Sequence, residues 1–249
     1  MITFISSTFS KATVHQRNAL YSWKEAGVPY VILGESDVVT AHPVRTEHDL
    51  GFQGDAPIVR DMILTGLKYI STPYVGLINA DIIIEYFFLD DFSKLLCTIE
   101  PDSFMTSVRR DLICDDPIIN FQDLVRVISS PWEYHQDASA DLFIASVTRF
   151  KELALEIPNF IYGRLAWDNW VHLYFDYIGI PCYDTSDILK CYHQKHGYMH
   201  IGATSFNDLN KSPSVSHNLG LFHSSLGKIK RSTSDIIRVR RCLRKPPLS

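Results

Sequence analysis

Tyr74-Val75-Gly76-Leu77-Ile78-Asn79-Ala80-Asp81-Ile82-Ile83-Ile84 is the stretch on which the fold class turns. Thr72-Pro73 blocks any helix ahead of it, and five apolar or small residues then run up to a polar Asn-Ala-Asp step. A short apolar run bounded in this way reads as a buried strand with a carboxylate at its carboxyl end. Working outward, residues 56–70 carry Ile58, Met62, Ile63, Leu67 and Ile70 at helical spacing. Before them, Val28–Leu33 reads as a strand and Val14–Ala26 as a helix with Leu20 and Trp23 on one face, ended by Gly27. Ile2–Ile5 reads as a first strand. Strand, helix, strand, helix, strand implies parallel pairing. The expectation is therefore an α/β single domain, with a central mixed, mostly parallel sheet flanked by helices. Downstream, strands are expected at 103–107, 141–147 and 182–186, and helices at 89–97, 150–155, 167–177 and 234–243. Residues 111–140 read as an irregular inserted loop, on the active-site or acceptor side, within which short helices are possible, and 201–222 as loop-rich.

The chain has 249 residues, 46% of them apolar and 21% charged. Those fractions are typical of a soluble globular protein and exclude a disordered, collagen-like or coiled-coil chain. No window offers 18 uninterrupted apolar residues, and the N-terminus lacks the basic and apolar regions of a signal peptide. Five scattered cysteines without a CxxC pair point to free thiols in a reducing compartment. The net charge of −4 argues against nucleic acid as a partner. It conceals an asymmetry: residues 228–249 hold eight basic residues and one acid, a net of +7, so residues 1–227 carry −4 − 7 = −11.

Three constellations can carry chemistry. Asp81 follows a strand end, where open α/β sheets bind ligands. It can hold a hard divalent cation, or it can cap the next element. Residues 191–200, CYHQKHGYMH, place His193, His196 and His200 three and four apart. On a helix these would share a face, although Gly197 argues against a regular helix. Imidazole is a common transition-metal ligand, and at least one of the three can serve as one. The residues after His193 are Gln194 and Lys195, which excludes the HExxH zinc-protease pattern. In Trp167-Asp168-Asn169-Trp170, Asp168 sits at a helix start, as either a cap or a general base, and the tryptophans can stack on a sugar or pack in the core. The chain has no phosphate-binding GxxxxGK[ST] loop, no GxGxxG after the first strand and no GxSxG elbow.

Taken together, YVGLINADIII, ADLFIASVTRFKE followed by IPNFIYGRLAWDNW, and CYHQKHGYMH resemble a GT-A-fold glycosyltransferase of the kind that builds bacterial and viral surface glycans. The resemblance covers roughly residues 1–205. It implies a GT-A-like domain over residues 1–227 and a divalent-metal cofactor, Mn²⁺ or Mg²⁺. It implies a nucleotide-sugar donor and a glycan acceptor as partners. Asn79-Ala80-Asp81 matches the metal motif with its first Asp replaced, so Asp81 is the metal ligand and His193 the first choice to complete the shell. Asp168 matches the base that deprotonates the acceptor hydroxyl in inverting members. Ser6, Ser7, Thr8, Glu35 and Asp37 lie around the nucleoside, Arg60 meets the diphosphate, and Asn79 and Ala80 line the donor site. Asp141, Trp167 and Asn169 lie on the acceptor side.

The same residues leave other functions open. A sugar-phosphate nucleotidylyltransferase shares such a core but usually carries a glycine-rich first loop. A glycan-binding protein of this fold without catalysis would tolerate the altered metal motif. The basic segment 228–249 reads as an appended amphipathic helix or tail, which can rest on an anionic membrane surface or pack on the acidic body. The expected location is cytoplasmic, with peripheral membrane contact as the variant.

Overall fold

The computed structural model describes residues 1–8, 11–134, 140–196, 212–229 and 244–246. The first half follows the expected alternation: β1 (Ile2–Thr8), α1 (Val14–Glu25), β2 (Tyr30–Gly34), β3 (Ala41–His42), α2 (Val59–Gly66) and β4 (Tyr74–Ile78). Local chemistry explains the boundaries. Thr13 and Gln16 form a reciprocal capping box at the start of α1, and Gly27, at φ 67°, takes the left-handed turn after it. Gly76 lets β4 lie against β1, because a Cβ there would fall 2.7 Å from the Phe4 ring.

The chain continues through β5 (Ile82–Ile84), α3 (Phe88–Leu96), β6 (Phe104–Leu112), α4 (Phe121–Ile128), β7 (Glu133–Tyr134) and β8 (Ala140–Ser146). It then forms α5 (Val147–Glu156), α6 (Trp167–Tyr177), β9 (Cys182–Asp184), β10 (Cys191–Gln194) and α7 (Pro213–Ser225). The strand order is β3-β2-β1-β4-β8-β6-β10-β5, with β7 and β9 also on β6. The pairs β1–β2, β1–β4, β2–β3, β6–β9 and β6–β10 are parallel, and the other four are antiparallel. The expected mixed, mostly parallel α/β sheet is thus present.

Helices cover both faces. Ile5, Val75, Leu77, Phe143 and Ala145 pack against α2, α5, α6 and α7. Ile2, Phe4, Leu142 and Ile144 point the other way, onto Trp23 of α1 and Phe88, Phe92 and Leu95 of α3. Burial on both faces is why these strands read as continuous apolar runs rather than alternating ones. A fully buried side chain such as Trp23 or Phe92 contributes about 2–3 kcal/mol.

β6 bends the sheet. Its register shifts between Ser107 and Val108. Residues before the shift pair with β8 and β9, and residues after it pair with β7 and β10. A bulge of this kind bends the strand and re-aims its side chains. It lets β5, β10 and the end of β6 form a ladder across the carboxyl end of β4.

Several expectations change. The strand expected at 103–107 runs on to Leu112, because Arg109 and Asp111 face a polar site and hid its second half. The supposedly irregular 111–140 contains α4, whose Leu124 and Val127 cover Ile83, Leu112 and Tyr192. His193 lies on the strand β10, in keeping with the argument from Gly197 against a regular helix there. Residues 213–222 of the supposed loop belong to α7, which begins with a proline and runs on to Ser225. The helix expected at 234–243 lies outside the described residues.

Candidate functional site

Asp81 occupies the tight turn between β4 and β5, closed by Ile82 N–H donating to Asn79 O at 3.2 Å. Because β5 pairs antiparallel with β10, with Ile82 opposite His193, the turn brings Asp81 under the end of β10. Asp81 Oδ2 lies 2.9 Å from His196 Nε2 and 3.7 Å from His193 Nε2. One ligand atom from each of these residues falls within 4.8 Å of the others. Burial by itself would push the Asp81 carboxyl up. The hydrogen bond from His196 and the charges of His193, His196 and Arg109 outweigh it and hold the group at about 2. Its second oxygen, Oδ1, is buried and has no hydrogen-bond partner among the described residues. A buried carboxylate oxygen left unpaired is costly unless something else satisfies it.

Around this cluster runs a polar chain that crosses four strands. Asp111 Oδ1 meets His193 Nδ1 at 3.0 Å, which turns Nε2 toward Asp81. A carboxylate on the far nitrogen is the usual way to set the tautomer of a metal-binding imidazole. Arg109 bridges Asp111 at 3.2 Å and Asp141 at 3.3 Å. Asp141 Oδ1 accepts from Asn79 Nδ2 at 2.6 Å. Burial pushes the Asp141 carboxyl up, with Arg109 and His193 opposing and Asp81 adding to the rise. On the other side, the His15 ring stacks on His196 with centroids 5.1 Å apart. Burial and then the His196 charge lower the His15 pKa.

The strand-end residues of the first half gather nearby. Ser6 Oγ–H and Tyr162 Oη–H both donate to Ile78 O, at 2.6 and 2.8 Å. Thr8 Oγ1–H donates to Glu35 O at 3.1 Å, and in the paired register of β1 and β2 Ser7 lies beside Leu33 and Thr8 beside Gly34. Asp37 accepts from Ala12 N–H at 2.9 Å and from Arg17 at 2.7 Å, and these contacts hold its carboxyl below the usual range. Ala80 is buried beneath the turn. Arg60 stands apart: its guanidinium donates to Leu155 O on α5, at 3.4 Å.

Asp168 and Asn169 lie on the first turn of α6, which is entered through Ala166 at φ 84°, a left-handed conformation that costs a non-glycine residue about 1 kcal/mol or more. Trp167 is a core residue, 5% exposed, wedged between Phe143 and Tyr162. Phe143 and Asp141 are two apart on β8 and so share a face. The start of α6 therefore packs on the face of the sheet that carries Asp141.

Sequence reasoning missed His15, Arg109, Asp111, Gln194 and Tyr162, and ranked His196 behind His193. His200 lies outside the described residues. Asp111 and Arg109 had a signal, being charged residues inside an apolar strand, but their partners are remote in sequence.

No helix among the described residues is long and apolar enough to cross a membrane. The end of the basic segment lies on the body: Asp184 N–H donates to Arg244 O, Arg244 pairs with Glu100 at 2.7 Å, and Lys245 with Asp184 and Asp187 at 2.9 and 3.0 Å.

No family model matches the chain, and neither does any curated protein. Among solved structures it is similar to a glycosyltransferase involved in glycosylation of the major capsid of PBCV-1, at 12% identity and TM-score 0.42, over 84% of this chain and 97% of that one. It is similar to S. aureus TarS 1–349 in complex with UDP-GlcNAc, at 12% identity and TM-score 0.47, over 90% and 71%. It is also similar to glucosyl-3-phosphoglycerate synthase from Mycobacterium tuberculosis in complex with Mn²⁺, UDP-glucose and phosphoglyceric acid, at 15% identity and TM-score 0.44, over 90% and 80%.

Proposed function

We propose that this chain is a divalent-metal-assisted glycosyltransferase, moving a sugar from a nucleotide-sugar donor to a hydroxyl of a glycan acceptor. The observation that carries the reading is the buried Asp81 carboxylate at the carboxyl end of β4, whose Oδ2 faces His193 and His196 while its Oδ1 has no hydrogen-bond partner among the described residues. Asp81, His193 and His196 would hold the cation. One carboxylate and two imidazoles suit a transition ion such as Mn²⁺ better than Mg²⁺, which favours carboxylates and water. When bound, the cation neutralises charge on the departing nucleoside diphosphate.

The chain's own residues supply the rest. Asp111 orients His193, and Arg109 with Asn79 anchors Asp141. The ends of β1 and β2, with Ser7, Thr8, Glu35 and Asp37, form the wall against which the nucleoside would lie. Asp168 takes the proton of the acceptor hydroxyl, whose oxygen attacks the anomeric carbon as the bond to the diphosphate oxygen breaks. Residues 1–227 form the transferase domain in this reading. The ion pairs of Arg244 and Lys245 favour packing of this part of the basic segment on its own body over contact with a membrane.

Thermal denaturation with UDP, GDP, CDP and dTDP, each with and without Mn²⁺, tests the donor assignment. One nucleotide should raise the midpoint in Mn²⁺ and do so far less in EDTA, because only native-state ligands stabilise. No shift with any nucleotide sinks the reading. With the donor known, Asp168→Asn should cut turnover about 100-fold or more while donor binding stays within twofold.

A further inference from the structure

We infer that Gln194 is a positioning residue that sets the geometry of the Asp81–His193–His196 site from beneath. This inference rests on the metal reading above. Gln194 is fully buried at the end of β10, directly after His193. Its side-chain Nε2 donates to the backbone carbonyl of Asp81 and to that of His15, each at 2.8 Å. Its Oε1 accepts from Asn18 Nδ2 at 2.9 Å. Asn18 is buried too: it donates to Asp116 O at 3.0 Å and accepts from Ile118 N–H at 2.7 Å.

The two amides thus form a closed network with every polar atom engaged. Such buried networks specify one arrangement, because each alternative strands a polar group in a dry interior. This one ties together four pieces of chain at a single point: the β4–β5 turn carrying Asp81, the first turn of α1 carrying His15, the strand carrying His193, and the segment after β6. The backbone of Asp81 has two anchors toward β10, the β5 pairing on one side and Gln194 on the other. The turn's other hydrogen bonds, Ile82 N–H to Asn79 O, Asn79 N–H to Asp141 O and Trp23 Nε1–H to Ile82 O, hold the residues that flank Asp81, so without the second anchor the Asp81 peptide can pivot between them. The carboxylate would then move relative to imidazoles whose own strand is held by β6. The Gln194 amide bonds backbone rather than ligand atoms, so its effect reaches the site through the Asp81 carbonyl and through the backbone of His15, whose ring stacks on His196.

The experiment is Mn²⁺ titration of the full chain, reading free Mn²⁺ by its electron paramagnetic resonance signal, with thermal midpoints recorded in EDTA. Gln194→Met keeps length and burial and removes both donors and the acceptor. It should weaken Mn²⁺ binding about tenfold or more, the usual effect of losing support behind a ligand. Gln194→Asn keeps the amide one methylene short and should weaken binding in the same direction, which covers the case in which the Met variant does not fold. An unchanged Mn²⁺ affinity with a lowered midpoint in EDTA marks a purely structural residue and overturns the inference. Wild-type protein that binds no Mn²⁺ overturns the metal reading and this inference together, whereas wild-type binding with unaltered variants overturns this inference alone.

Discussion

Asp81 and Asp141 stand at the same end of two paired strands and have nearly the same surroundings, yet their carboxylates do different work. Asp141 lies opposite Asn79 where β8 begins, and both its oxygens are engaged, by Asn79 and by Arg109. Asp81, one turn away, uses one oxygen on histidines and leaves the other buried without a partner among the described residues. Burial raises the pKa of both. At Asp81 a direct imidazole hydrogen bond reverses that effect, and at Asp141 it prevails although Arg109 opposes it. A carboxylate with every oxygen satisfied holds the scaffold, and one kept ionised with an oxygen to spare is prepared for a ligand. Burial alone does not separate the two, and partner count does.

The comparison breaks most visibly at Asp81. Asp81→Ala should abolish Mn²⁺-dependent stabilisation by nucleotide and cut sugar transfer at least about 100-fold, while the midpoint in EDTA stays near that of the wild type. Asp141→Ala should do the opposite. Removing it leaves Arg109 and Asn79 facing a hole, and breaking a buried pair costs about 3 kcal/mol. For a chain of this size that is a drop of roughly 6–12 °C in midpoint, with Mn²⁺ affinity changed only a few-fold. If the two phenotypes were exchanged, the assignment of roles would be reversed.

Asp111→Asn sharpens the contrast. It keeps the shape and removes the charge behind His193, and it should weaken Mn²⁺ binding by about tenfold with little change in stability in EDTA. The smallest effect belongs to the docked tail. Lys245→Ala should cost less than about 1 kcal/mol, because the lysine is 58% exposed and its pairs are screened. Asp187 is held below the usual carboxylate range by Lys245 and then Tyr134. Its contribution is therefore present above its unfolded value of about 3.9 and is lost as pH falls through its lower folded value. Denaturation curves of wild type and Lys245→Ala should converge in acid and in high salt.

The legible part of the site was the part written locally. Asp81 announces itself by ending an apolar run, and Asp168 by opening a helix. His193 and His196 were visible as candidates from spacing, but not the element beneath them. Three-residue spacing would share a face only on a helix, which Gly197 argued against, and the two residues meet Asp81 because His193 lies near the end of a strand and His196 follows it. Asp111 and Arg109 showed only as charged residues in a strand, and what makes them site residues, their contacts with His193 and Asp141, lies far away in sequence. Trp167 could be read as a sugar platform or as core, and only its contacts with Phe143 and Tyr162 put it in the core.

What the amino-acid sequence determined by itself is the β-α-β-α-β half, its caps and glycine turns, and a carboxylate at the carboxyl end of β4. These follow from patterns within about twenty residues, where periodicity and capping chemistry act. What only the tertiary structure decided is the company that carboxylate keeps. Asp81 meets residues more than a hundred positions away, His196 at a separation of 115. Asp111 reaches His193 across 82 positions, and Gln194 reaches His15 across 179. These contacts depend on the bulge in β6 and the short ladder it bends over β4. Local propensity cannot encode such a meeting, because it arises only when separately formed strands pair and each strand is indifferent to its partner until burial selects one.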